Sequence, residues 1–171
     1  MASGQVKSAA FVLLLLNLLL YFIVTVMAVW AVNHAIVRSR KTASVLTIPA
    51  RIFPIYFPVG NMATGFLVIF SLIAGIVGMA TSATGYLNVT DGKIQNLHAA
   101  AASSLVTLFL TFLAMGLACK EINIGWIDAN LRTLEVLVIF VSATQLFCAG
   151  AIHARVSEVA TILNIYGSGR V

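Results

Sequence analysis

The sequence predicts an all-α integral membrane protein, a four-helix bundle forming one membrane domain over residues 1–171. Composition is the first reason. Of 171 residues, 61% are hydrophobic and 9% charged, whereas soluble domains run at about 45–50% apolar and about 25% charged. Such a chain is too apolar for a water-soluble fold and too hydrophobic for disorder. The second reason is the charge map. Every Asp, Glu, Lys and Arg lies outside four windows, 8–37, 52–90, 94–119 and 136–154. A helix needs about 20 apolar residues to cross the hydrocarbon core, so each window marks one span. The third reason is the pattern inside the windows. They are rich in Gly and Ala and lack the strand alternation of a membrane barrel, whose spans run about 10 residues.

The spans fall near 9–33, 60–84, 97–119 and 131–153. The first is too long for a cleavable signal, has only Lys7 before it, and ends without a small-residue cleavage site. It reads as a retained signal anchor, with Tyr21 inside the membrane and Trp30 near the far interface. The second follows a loop, 34–59, that holds all three prolines, Pro49, Pro54 and Pro58. The first half of this loop is basic, from Arg38 to Ser44. Its Pro/aromatic stretch 49–59 includes Phe53, Tyr56 and Phe57 and has one charge, Arg51. Proline denies it a regular helix, and the aromatic rings suit a segment lying along the headgroups. The second helix carries Ser71, Gly75, Gly78, Ser82 and Gly85 at spacings of four and three, one stripe of small residues. Small residues let membrane helices approach closely, so Ser71, Gly75, Gly78 and Ser82 are the packing positions, within the bundle or at a homo-oligomer face. The fourth span needs Arg132 and Glu135 in its first turn.

Four spans put both termini and loop 85–96 on one side. Six basic residues lie on the other side against four on this one, which favours loops 34–59 and 120–130 as cytoplasmic. That orientation exposes the sequon Asn88-Val89-Thr90 on the outer face. The net charge of +5 is spread over span ends. It suits anionic lipid headgroups and not nucleic acid. Cys119 and Cys148 stand about 25 Å apart in depth on antiparallel helices, too far to bridge. After 153 the chain leaves the membrane as a frayed or interfacial helix.

The fourth helix carries the most informative polar residues. Glu135, Ser142, Gln145, Ala149 and His153 fall on one face, and such a stripe should face protein or a water-filled cavity. Glu135 is either an ion-pair anchor with Arg132, Lys120 and Arg51 or a proton or ligand site. Gln145 is deeper and needs partners such as Asn17 or Thr111. It either joins helices or hydrogen-bonds a solute. His98, His153 and His34 are scattered and suggest no metal site. No catalytic motif is present, no cofactor is implied, and the chain does not read as an enzyme. A channel lacks a charged ring or filter-like repeat.

Three blocks carry a resemblance: Phe53-Pro-Ile-Tyr-Phe-Pro-Val-Gly-Asn-Met-Ala-Thr-Gly-Phe66, Ala114-Met-Gly-Leu-Ala-Cys-Lys-Glu-Ile122 and Leu131-Arg-Thr-Leu-Glu135. They resemble the plant family of the abscisic-acid-induced wheat plasma-membrane polypeptide and its relatives, from about Lys7 to His153. The resemblance implies a multi-pass plasma-membrane protein linked to abscisic acid, seed germination and abiotic stress. Import of abscisic acid is one role it implies; a membrane-stabilising role during dehydration is the other. In the first role Lys120 or Arg132 would meet the ligand carboxylate, Gln145 or Ser142 its oxygens, and Glu135 a proton, with assembly through the Gly75 and Gly78 face enlarging the site. The second needs only the small-residue stripe, the ion pairs and lipid or protein partners.

Overall fold

In the computed structural model, which describes residues 2–45, 62–124 and 129–168, these segments form four helices: α1 (Ala2–Val45), α2 (Met62–Asp91), α3 (Ile94–Ile124) and α4 (Ala129–Ser168). All four contain a stretch long and apolar enough to cross a membrane. They pack as a closed ring, each on the next and α4 back on α1, with neighbours antiparallel. Thus Leu14, Tyr21 and Thr25 of α1 meet Gly85, Gly78 and Gly75 of α2 in reverse order.

A repeat of three and four residues builds this ring. Buried positions on α1 run Ala10, Leu14, Asn17, Tyr21, Val24, Ala28, Ala31 and Ala35, and those on α4 run Glu135, Val138, Ser142, Gln145, Ala149 and Ile152. A 3.5-residue repeat keeps one seam facing its neighbour only if the helices wind left-handedly about one another. The outward positions are large and apolar, among them Leu15, Phe22, Ile76, Phe109 and Phe147, all exposed. Such a surface is disfavoured in water and matched to lipid tails.

The helices outrun the membrane, and this corrects several expectations. At 1.5 Å per residue α1 is about 66 Å long and α4 about 60 Å, against about 30 Å of hydrocarbon. The basic half of loop 34–59 is therefore helical as far as Val45, because residues 34–45 contain neither Gly nor Pro and polarity alone does not end a helix. Loop 85–96 is reduced to Gly92 and Lys93, and the sequon lies in the last turn of α2, with Val89 fully buried. The tail after 153 continues α4 to Ser168 without a break. The Pro/aromatic stretch 49–59 and Arg51 lie outside the described residues.

Gly92 makes the tight α2–α3 turn. Its φ is +67°, and its N–H bonds to the Asn88 carbonyl at 3.2 Å, an αL cap on the end of α2. The Lys93 carbonyl then accepts from Leu97 N–H at 3.0 Å to begin α3. A Cβ at Gly92 would meet open space, so the cost of Gly92→Ala is the left-handed backbone alone, about 1–2 kcal/mol. Thermal unfolding in detergent should show that loss, and Gly92→Asn should recover part of it.

The small-residue stripe of α2 is turned inward against α1. Ser71, Gly75, Gly78, Ser82 and Gly85 are all buried. A Cβ on Gly78 would fall among the ring carbons of Tyr21, and one on Gly75 against Thr25 Oγ1. Of the two alternatives for this face, packing within the bundle is the one the structure shows, with α1 of the same chain against Gly75, Gly78 and Gly85.

Candidate functional site

The core divides into two apolar clusters. One gathers Tyr21, Val24, Leu67, Val68, Leu134 and Val138 among others, and the second gathers Leu14, Val89, Leu97, Cys148 and Ile152 among others. Between them lies a polar belt supplied by all four helices. Asn17 Nδ2 of α1 donates to Gln145 Oε1 of α4 at 2.9 Å, and Gln145 Nε2 donates to the Ser104 carbonyl of α3 at 3.1 Å. Thr81 of α2 and Thr107 of α3 bond through their hydroxyls at 2.8 Å. One layer on, Tyr21 and Thr111 hydroxyls bond at 2.8 Å. Ser142 donates to Val138 of its own helix at 2.8 Å and lies 3.5 Å from the Thr111 carbonyl. Gln145 sits midway along its charge-free window, so the belt is at mid-depth in the membrane.

Of the partners expected for Gln145, Asn17 is the one it uses. Asn17 is fully buried, and its Oδ1 has no hydrogen-bond partner. An unanswered amide oxygen in a low-dielectric core costs about 1–3 kcal/mol, which marks this as the unfinished point of the belt. His153 departs from the expected polar face. It is exposed, with Nδ1 2.8 Å from the Ala149 carbonyl, because the inward line on α4 passes from Ala149 to Ile152.

The second polar group is at the end of the bundle opposite the termini. Glu121 of α3 and Glu135 of α4 are each 1% exposed. Thr64 of α2 donates its hydroxyl to Glu121 Oε1, while Glu121 Oε2 has no hydrogen-bond partner. Arg132, one turn before Glu135, approaches its Oε2 to 3.5 Å with its own side chain 44% exposed.

The expected ligand residues are thus not gathered into one site. Ser142 and Gln145 lie in the mid-depth belt. Glu135 and Arg132 lie two turns or more away, about 10–20 Å along the axis. Lys120 is exposed and forms no ion pair among the described residues. Glu121 was not singled out in the sequence because it follows Lys120 at the end of a window and reads as an interfacial charge. A usable signal was present: Ser104, Thr107, Thr111, Ala114, Ala118 and Glu121 repeat at spacings of three and four, the inward line of α3. Cys119 and Cys148 are free thiols, one exposed and one buried.

These features define a class, a small polytopic membrane bundle whose lipid-facing wall encloses a polar seam. Residues 15–155 match the sequence model of the AWPM-19-like family, and the chain belongs to that family. It is 38% identical to "Membrane protein PM19L" of Oryza sativa subsp. japonica over 142 residues, 82% of this chain and 75% of that protein. No solved structure matches.

Proposed function

We propose that this is a plant plasma-membrane protein of abscisic acid and abiotic-stress responses, seed germination included, and that it facilitates import of abscisic acid. The observation that supports this most directly is the mid-depth belt, where Asn17 Oδ1 stands without a partner beside Gln145. Buried polar groups inside a membrane bundle are costly and belong by default to function. Membrane transport sites lie typically near the midplane. A weak acid in its neutral form brings one O–H donor, which suits that oxygen, and an apolar ring, which suits the clusters above and below the belt. At the mouth, Lys120 and Arg132 offer positive charge to the anion. Membrane lipids cover the outer wall.

A second reading is a membrane-stabilising or partner-organising bundle without transport. It is favoured by Gln145 and Ser142, whose hydrogen bonds are already made inside the bundle. Uptake of labelled abscisic acid into proteoliposomes separates the two, with empty liposomes subtracted because the protonated acid crosses lipid unaided. Saturable, protein-dependent uptake, larger when the outside is acidic, is expected of the importer. No difference from empty liposomes, with or without a pH gradient, leaves the structural reading.

A further inference from the structure

We propose that the turn joining α2 to α3 holds the headgroup of a phosphatidylethanolamine lipid, in a cavity of about 450 Å³ lined by Leu87, Asn88, Thr90, Asp91 and Asn96. This goes beyond import and does not depend on it. The volume lies within the range of about 300–1,000 Å³ usual for small-molecule sites. Depth in the membrane is the first argument. Thr81 and Thr107 belong to the mid-depth belt. Asp91 is ten residues beyond Thr81 on α2, and Asn96 is eleven residues before Thr107 on α3. At 1.5 Å per residue both stand about 15–17 Å from the belt, close to half of the hydrocarbon thickness of about 30 Å. The polar lining therefore sits where lipid tails give way to headgroups. Leu87, four residues nearer the belt and 65% exposed, lies at tail depth on the outer wall.

The chemistry of the lining chooses among headgroups. Asn96 Nδ2 donates to Asp91 Oδ2 at 2.7 Å, and Lys93 Nζ approaches the same oxygen at 3.3 Å. Asp91 Oδ1, Asn96 Oδ1 and the Asn88 carboxamide are left uncommitted among the described residues. The Thr90 hydroxyl is spent on the Tyr86 carbonyl at 2.7 Å. Three side-chain oxygens, one of them on a carboxylate, thus await donors, and a primary ammonium carries three hydrogens. Hydrogen bonds between charged groups are roughly twice as strong as neutral ones. Lys93, with its side chain 73% exposed, supplies the countercharge for the lipid phosphate. A phosphatidylcholine headgroup has no N–H to give. Its quaternary ammonium is of the kind held by aromatic rings, and none of the lining residues is aromatic. A phosphatidylglycerol headgroup brings no cation to Asp91 and sets its phosphate against that carboxylate.

Native mass spectrometry of the purified full-length protein tests this. The protein is released from micelles holding equal amounts of phosphatidylethanolamine, phosphatidylcholine and phosphatidylglycerol with the same acyl chains. One phosphatidylethanolamine per chain should be retained, at about tenfold the occupancy of either competitor, the difference expected from one charged hydrogen bond. Asp91→Asn removes the charge but keeps an acceptor for Asn96, and should abolish the preference. Lys93→Gln should lower retention yet keep the preference for ethanolamine over choline, because Asp91 remains. Unfolding midpoints of the unsubstituted protein in detergent, with each lipid added in turn, require no variant to fold. They should rise most with phosphatidylethanolamine. Equal retention of the three lipids, or a preference that survives Asp91→Asn, would overturn the proposal. So would displacement of the lipid by an equal concentration of glycerophosphoethanolamine, which would make a free amine solute the occupant.

Discussion

Gly78→Ala should destabilise the bundle by about 1–3 kcal/mol, the usual cost of overpacking a well-filled core. The added methyl would fall among the ring carbons of Tyr21. That ring is 1% exposed and tied at its hydroxyl to Thr111, so it cannot swing aside without breaking the bond that joins α1 to α3. Alanine returns up to about 1 kcal/mol of helix propensity over glycine, which softens the loss without reversing it; Gly78→Leu has far more volume to place and should prevent assembly. Gly116→Ala is the matched control, because a Cβ there meets nothing within 4 Å. Unfolding midpoints in detergent, by heat or by sodium dodecyl sulfate, should fall for Gly78→Ala and hold or rise for Gly116→Ala. Equal midpoints for the two would contradict the close α1–α2 contact.

Gln145→Leu should be the most damaging substitution at the mid-depth belt. It removes the bonds to Asn17 and the Ser104 carbonyl and takes from Asn17 Nδ2 its Gln145 acceptor, beside an Oδ1 that already has no partner. Interhelix hydrogen bonds in membranes contribute about 0.6 kcal/mol on average, and a stranded buried polar group costs about 1–3 kcal/mol, so a total near 2–3 kcal/mol is expected. The stranded amide dominates, which gives the prediction a second arm. Asn17→Leu combined with Gln145→Leu removes both polar partners and should recover much of the loss. A double variant no more stable than Gln145→Leu would show that the Asn17 amide is not what makes the single change costly. The recovered double variant also serves the functional question. If it folds and reaches the membrane yet no longer supports saturable uptake, the belt acts on a solute; if uptake is unchanged, the belt only joins helices.

The charge-free windows already locate all four spans, because excluding ionised groups from hydrocarbon is a requirement on composition. They do not locate helix ends. Residues 34–45 and 85–91 read as loops by their polarity, yet both are helical. Membrane depth is recorded in hydropathy, whereas termination is recorded in backbone conformation, here Gly92 at φ +67°.

The candidate residues divide in the same way. Gln145 was recognisable as a buried amide in need of a partner, and Asn17 was among the partners open to it. Glu135 was recognisable as an ion-pair anchor or a proton or ligand site, but Glu121 was not recognisable as a buried carboxylate at the same end of the bundle, since 14 positions of chain separate the two and Glu121 reads alone as an interfacial charge. The orientation of the glycine stripe was equally open. Spacing put Gly75 and Gly78 on one face, and a second copy of the chain would satisfy that face as well as α1 does.

By itself the sequence determined the fold class, the number of spans and the lines of small and polar residues, because each follows from the period of one helix and from the cost of burying charge. Only the tertiary structure decided that Tyr21 fills the glycine face, that Asn17 meets Gln145, and that two carboxylates share one end of the bundle. Those outcomes depend on the mutual register and rotation of separate helices, which the sum of many side-chain contacts sets and no single helix contains.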